Sequence, residues 1–345
     1  MPVYDLANVG RKNRFWANGK LIHNSGGLNV QNLSSGRKAG QSNALKRSII
    51  APEGYTTITY DSSQIELRTG AYMSGDDNTL NMFTQGQDPY SVQASLIYGG
   101  DPAEIKKLAK AGVEPYASLQ RPVGKSSLLS CIYGTGAGGF QNYLKVNGID
   151  LDIEDCKNIV QVYRQTHPEV VAMWKQCENA LNAMVAGGTG YFGGRDGRMF
   201  YYDGSRQIHG KTVAGIRMPD GNWLNYYGLR WVQRDMPDGS VKPNLAYYGM
   251  KERKPQWIYT YPAKVFENLN QSFAFAVMKY QAMLINQRYR IAGNTHDEWF
   301  ITVPESEAQQ ASDYMQWCMR QVPVWATGLP VDCEGSSARR YGDCK

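Results

Sequence analysis

From about residue 102 to residue 184 the chain keeps a mostly helical hydrophobic period, and the segments on either side keep a strand period. That segregation constrains the fold more than any single motif does. Upstream, "GYTTITYDSS" alternates with period two, is rich in β-branched residues and leads into "QIELRTGAYMSG", a helix expected to end near its glycine. From Gly187 to about Tyr259 the pattern turns to short strands and Gly/Asp turns such as "MPDGNW" and "MPDGSV". A long helix, "AKVFENLNQSFAFAVMKYQAMLINQRY", then precedes a hairpin around "HDE", a helix "ESEAQQASDYMQWCMRQV" and a last strand. Antiparallel strands with helices grouped between them predict an α+β architecture rather than a doubly wound sheet.

At 345 residues the chain can build a large core and two or three subdomains. A net charge of +6 permits nucleic-acid binding without requiring it. The six cysteines are scattered, with no Cys/His ligand spacing, so free thiols are expected and a structural zinc site is not. With no long apolar run and no signal-peptide pattern, the expectation is a cytosolic protein without a membrane partner.

Three stretches carry chemistry. Asp61 closes the strand "TTITYD" and can be held rigidly at a sheet edge, where a helix cap and a metal ligand are both open readings. Asp297 and Glu298, in "NTHDEWFIT", fit a solvated hairpin tip or half of a metal site. In "RPVGKSSLLSCIYG" the residues Arg121, Lys125, Leu129 and Tyr133 recur every fourth position, on one slowly rotating helical face. Pro122 suits a first helical turn. Two cations a turn apart could grip a triphosphate, or could be solvated charges above a core seam.

Taken in order, these stretches resemble the motifs of the family A DNA polymerases, the DNA polymerase I type, in its bacteriophage branch. "DSSQIELR" matches motif A, "RPVGKSSLLSCIYG" motif B and "HDE" motif C. The flanking "LNVQNLSSG", "QGQDPYSVQASLIYG", "YTYPAKVFENLNQ" and "WATGLP" agree in order and spacing, and the likeness runs from about Ser25 to Lys345. It implies a right-hand palm built on an antiparallel sheet, with helical fingers: palm over 25–101, fingers over 102–186, palm again over 187–345. It further implies two Mg²⁺ ions held by Asp61, Asp297 and the carbonyl of Ser62, with Glu298 as an accessory catalytic carboxylate. Arg121, Lys125, Leu129, Tyr133, Gln64 and Glu66 would contact the incoming dNTP, Glu66 by opposing a ribose 2′-OH. Asn29, Asn32, Gln271 and His296 would contact primer-template DNA. Gln64, Ile65 and Glu66 favour DNA synthesis over the related single-subunit RNA polymerases. Three departures stand out: Leu129 where many relatives carry a bulky aromatic, Phe275-Ala276 in place of an Arg-Asp pair, and Asn222 in place of an Arg.

Residues 1–24 do not continue that likeness. "VYDL", "RFWANG" and "HN" before Ser resemble the C-terminal blocks of an intein, though Asn13 stands where a His is common. The resemblance implies that Asn24 cyclises with help from His23, and that Ser25 is the hydroxyl nucleophile. The expectation is therefore a small β intein fragment on a chain lacking thumb and exonuclease domain, which an N-terminal polymerase fragment with the other intein half would supply by splicing in trans. If phage-encoded, it would act in the host cytoplasm. An inactive DNA-binding half, or a thumb-less polymerase active alone, are the alternatives.

Overall fold

A computed structural model describes residues 14–17, 20–23, 43–235, 239–251 and 254–344. Asn24, Ser25, Asn29 and Asn32 lie outside these, and His23 is described only as a strand residue. Strands β1 (Arg14–Ala17) and β2 (Lys20–His23) pair antiparallel, Arg14 opposite His23. The chain continues through α1 (Ala44–Arg47), β3 (Tyr55–Ser62), α2 (Ile65–Ser74), α3 (Asp77–Thr84) and α4 (Pro89–Tyr98). The helical stretch holds α5 (Pro102–Lys110), a π-helical segment Tyr116–Gln120, α6 (Arg121–Cys131), α7 (Ala137–Val146), α8 (Ile153–Thr166) and α9 (Pro168–Val185). Next come β4 (Thr189–Phe192), β5 (Phe200–Asp203), β6 (Gln207–Ile208), β7 (Lys211–Arg217), β8 (Trp223–Asp235), β9 (Val241–Lys251) and β10 (Lys254–Thr260). Helix α10 (Pro262–Ile285), β11 (Ile291–Thr295), β12 (Glu298–Pro304), α11 (Ala308–Met319) and β13 (Cys333–Ala338) complete the order. This is the α+β segregation expected from the pattern, and all six cysteines are free thiols.

The chain divides into two compact units, Met1–Ile65 with Ala274–Lys345, and Glu66–Phe273. The first is organised by an antiparallel sheet in the order β11-β12-β3-β13. Alternation along β3 sends Ile58 and Tyr60 into a core shared with Trp299 and Ile301 of β12, Met278 and Ile285 of α10, and Met315 of α11. The other face of β3 therefore carries Thr57, Thr59 and Asp61. Gln281 of α10 donates to the Met319 carbonyl at 2.7 Å and fixes the end of α11.

In the second unit, α4 and α6 pack so closely that a Cβ on Gly124 would lie 2.3 Å from the Tyr90 carbonyl oxygen and 2.8 Å from the Ala94 nitrogen. Both obstacles are backbone, so Gly124→Ala is expected to cost about 1–3 kcal/mol. A fall in the urea midpoint at unchanged slope would check it. Buried His167, between α8 and α9, bonds Asp76 through Nδ1 at 2.9 Å and Gln93 through Nε2 at 3.3 Å, joining the cap of α3 to α4. The large sheet runs β10-β9-β8-β7-β5-β4, with β6 beside β7 and α9 against one face.

Three local expectations need correction. Tyr133 is not on the helix with Arg121, because α6 ends at Cys131 and Tyr133 lies in the turn that follows. The strands of the large sheet are not all short: β8 has 13 residues and β9 has 11, and a bulge between Tyr227 and Arg230 bends the pair. Helix α10 stops at Ile285, where the amides of Gln287 and Arg288 turn back to the carbonyls of Leu284 and Ile285.

Candidate active site

At the C-terminal end of β3, Asp61 is exposed and stands directly opposite Glu298 of β12. The pairing of β3 with β13 also sets Asp61 opposite Glu334, so three carboxylates lie across one sheet face. Like charges placed opposite one another destabilise a sheet unless something compensates. Part of the compensation is visible: the Tyr341 hydroxyl donates to Glu298 Oε1 and lies 2.9 Å from Thr295 Oγ1. Burial first, and then the bond to Glu298, pushes the Tyr341 phenol well above its ordinary range. Tyr341 therefore stays a donor.

Asp297 occupies the two-residue turn between β11 and β12, where His296 takes a left-handed backbone with φ +52. The Ser62 amide donates to the Asp297 carbonyl at 2.9 Å and ties that turn to the end of β3. Asp61, Ser62, Asp297 and Glu298 are thus gathered at one end of one sheet. Every donor offered is an oxygen, the set a hard divalent cation takes. No group of three or more His, Cys, Asp or Glu is arranged as a metal cage among the described residues. Two aspartates and a backbone oxygen suit Mg²⁺, which keeps waters and substrate phosphates in its shell.

The second unit holds the cationic helix. The Asp88 carboxylate accepts from Arg121 Nε at 2.8 Å and Nη2 at 3.2 Å, and from Ser91 Oγ at 2.6 Å. Burial works to raise the Asp88 carboxyl, but the bonds from Arg121 and Ser91 outweigh it and hold it below the usual carboxylate range. The Tyr90 ring lies 5.4 Å from the Arg121 guanidinium and 5.6 Å from Lys125 Nζ. Lys125 is exposed and, among the described residues, makes no ion pair, whereas half of the Arg121 fork is already occupied. Leu129 is half-buried on the same helix.

Beside it, the Tyr133 hydroxyl donates to Glu66 Oε2, and Asn270 Nδ2 donates to the Tyr133 hydroxyl at 2.9 Å and to the Glu66 carbonyl at 2.8 Å. Thr69 Oγ1 fixes Asn270 by donating to its side-chain oxygen at 2.6 Å. Burial, then the Glu66 charge, raises the Tyr133 phenol. Gln64 ends the turn into α2 with a left-handed φ of +46, and Gln271 is exposed on α10 next to buried Asn270. Sequence reasoning missed Asp88, Tyr90, Asn270, Glu334 and Tyr341. Of these, only Asp88 carried a local signal, an acidic residue immediately before Pro at a helix start.

A family model described as DNA polymerase family A matches residues 16–192. The thermostable DNA polymerase I of Thermus thermophilus is 31% identical over 156 residues, covering 45% of this chain and 16% of that protein. The DNA polymerase of Bacillus phage SP02 is 24% identical over 298 residues, covering 85% of this chain and 42% of that one. Among solved structures, the POL domain of Pol1 from M. smegmatis, in complex with DNA primer-template and dNTP, matches with a TM-score of 0.56 at 17% identity. That match, a likeness of fold, covers 91% of this chain and 44% of the other. The chain spans less than half the length of each of these relatives.

Proposed function

This chain belongs to DNA polymerase family A, and on that premise we propose that it carries the palm and fingers chemistry of template-directed DNA synthesis. The reaction is transfer of a nucleotidyl group from a dNTP to a primer 3′-OH. The observation that carries the reading is the meeting of Asp61 and Asp297 at one sheet end, through the Ser62–Asp297 hydrogen bond and the Asp61–Glu298 pairing. Asp61, Asp297 and the Ser62 carbonyl would hold two Mg²⁺ ions, which when bound favour ionisation of the 3′-OH and neutralise charge on the triphosphate. Glu298, held by Tyr341, stays beside Asp61 as an accessory carboxylate. Lys125 and the unoccupied side of the Arg121 fork bind triphosphate oxygens. Tyr133 lies against the nascent base pair, with Glu66 closing the space a ribose 2′-OH would need. Gln271 and His296 contact the DNA, as do Asn29 and Asn32.

Leu129 takes the place of a bulky aromatic against the incoming sugar. Leu129→Tyr is expected to raise incorporation of dideoxynucleotides relative to deoxynucleotides by roughly tenfold or more, about 1.4 kcal/mol of added contact to the ring. Competition kinetics on one primer-template would check it, and an unchanged ratio would remove Leu129 from the sugar site.

For residues 1–24 we propose the role of an intein C-terminal fragment, in a polymerase of the phage branch. The support is the sequence "RFWANG" to "HNS" and a β-hairpin whose second strand ends at His23. In the proposed step the Asn24 side-chain amide nitrogen attacks the Asn24 carbonyl and breaks the Asn24–Ser25 peptide bond. The released peptide carries a succinimide and Ser25 keeps its amine. Ser25 Oγ would already have accepted the upstream acyl chain, which then passes from that oxygen to the amine. The partner is an N-terminal polymerase fragment bearing the other intein half. Co-expression of the two should yield a ligated polypeptide and a free 24-residue peptide, with Asn24→Ala blocking release. Absence of both products, or indifference to Asn24→Ala, would refute the proposal. Primer extension should be weak by this chain alone and strong by the joined product. Equal extension by both would contradict dependence on a partner.

A further inference from the structure

The large sheet has α9 against one face, and its other face carries exposed rings where β8, β9 and β10 run together. Register assigns the side chains unambiguously. Tyr227, Tyr248 and Trp257 stand opposite one another across β8, β9 and β10, and Arg230, Ala246 and Tyr259 form the next row. Directly opposed residues share a face, and the rings of this face are exposed, Tyr227 by 45%, Tyr248 44%, Trp257 42% and Tyr259 41%, while the small residues between them, Ala246 and Val213, are buried. On the opposite face, Tyr226 and Leu245 are buried.

Cations are interleaved with these rings. The Arg230 guanidinium lies 4.0 Å from the Trp257 ring centre and Arg234 lies 4.4 Å from that of Tyr259. Tyr248 and Trp257 meet edge to face with centres 5.6 Å apart. Alternation puts Lys242, opposite Arg234, on this face, and sends Asp235, opposite Val241, to the other. Among the described residues of β8, β9 and β10 no carboxylate shares the aromatic face. The bulge after Tyr227 places Gly228, with φ +63, where an added Cβ would lie 3.3 Å from the Trp257 ring, so the missing side chain leaves room for that ring.

A row of rings across three strands spans about 10 Å, two inter-strand spacings, and rings on a sheet at that reach can stack two or three splayed bases. The guanidinium groups lie over the Trp257 and Tyr259 rings, and as bases take their place there they can swing out to meet the phosphates. We propose that this face binds single-stranded DNA, the bases stacking on Trp257, Tyr248 and Tyr227 and the phosphates meeting Arg230 and Arg234. Duplex DNA has its bases already stacked and offers no ring faces. The choice of DNA over RNA rests on the polymerase reading; the single-strand chemistry does not.

The test is fluorescence anisotropy of a labelled oligothymidylate of about 16 nucleotides, the upper end of such a footprint, with the full chain in EDTA. Trp257→Ala and Tyr248→Ala should each weaken binding by about fivefold or more, while Trp257→Phe keeps a ring and most of the affinity. Arg230→Ala and Arg234→Ala should each flatten the slope of log affinity against log salt by about 0.7. Trp231→Ala, on the opposite face, should change nothing. Unchanged binding by the Trp257 and Tyr248 variants, equal loss in Trp257→Phe and Trp257→Ala, or a duplex competing as well as the oligomer would overturn the proposal. Tighter binding of oligouridylate would overturn the assignment to DNA. Asp61→Asn should bind the oligomer as the unaltered chain does. If the chain joined to the proposed N-terminal fragment fails to extend a primer while the chain shows this binding pattern, the polymerase reading falls and the binding face stands.

Discussion

Replacing Asp61 or Asp297 by Asn should lower single-nucleotide incorporation by at least about a thousandfold, the scale on which losing a metal-held charge acts on phosphoryl chemistry. Each change keeps the shape of the side chain and removes one negative charge from the oxygen set at the end of β3. Primer-template affinity should be nearly untouched, because grip on DNA comes largely from phosphate contacts made by cations. A second readout separates catalytic from structural roles. Asp61 stands opposite Glu298 and Glu334 in the sheet register, so removing its charge relieves repulsion and should raise thermal stability. An Asp61→Asn protein that is inactive and less stable would point to a structural carboxylate. Glu298→Gln should fall far short of the aspartate variants, since the Tyr341 hydroxyl already holds that side chain.

Lys125→Ala should reduce the efficiency of dNTP use by about a hundredfold or more, and Arg121→Ala by clearly less. Loss of one positioned charge in a phosphate site costs on that order. The ranking comes from Asp88. Its carboxylate takes two bonds from Arg121, so part of the Arg121 charge is neutralised before a triphosphate arrives, while Lys125 offers a whole ammonium. Asp88→Asn should restore charge to Arg121 and tighten dNTP binding while making the Arg121 side chain less well positioned, giving a lower KM with no gain in kcat. The depressed Asp88 carboxyl adds a pH signature. Its contribution to stability is present above the unfolded carboxylate pKa and is lost as pH falls through the lower folded value. Asp88→Asn should therefore shrink the acid limb of the stability profile. Pre-steady-state incorporation by the three variants checks the ranking, and equal losses for Lys125→Ala and Arg121→Ala would contradict it.

Much of this arrangement was legible because strand and helix periods differ and the chain keeps them apart. The run Thr56 to Tyr60 announced a strand, and its parity put Asp61 on the face away from Ile58 and Tyr60. The "HDE" hairpin was likewise plain from its flanks, but nothing local told Asp297 from a solvated tip. The pairing of β12 with β3, a contact between distant stretches of chain, brings that tip to the end of the strand that carries Asp61. Tyr133 was placed on the helix by spacing alone, yet α6 ends two residues earlier and a hydrogen bond to Glu66 sets its position. Asp88 and Glu334 were missed for one reason: each matters through a partner far along the chain, Arg121 or Asp61, and no period encodes such a partner. The aromatic face escaped notice because the bulge after Tyr227 shifts the alternation, so "YYGLRW" does not read as one face carrying both Tyr227 and Arg230.

Templated nucleotidyl transfer by these residues is read out by offering the chain, joined to the proposed N-terminal fragment, a primer-template and each dNTP singly in Mg²⁺. The expected result is extension by one nucleotide, with pyrophosphate release, only by the dNTP complementary to the template base, and loss of that extension in Asp61→Asn. Extension that ignores the template base, or persists undiminished in Asp61→Asn, would contradict it.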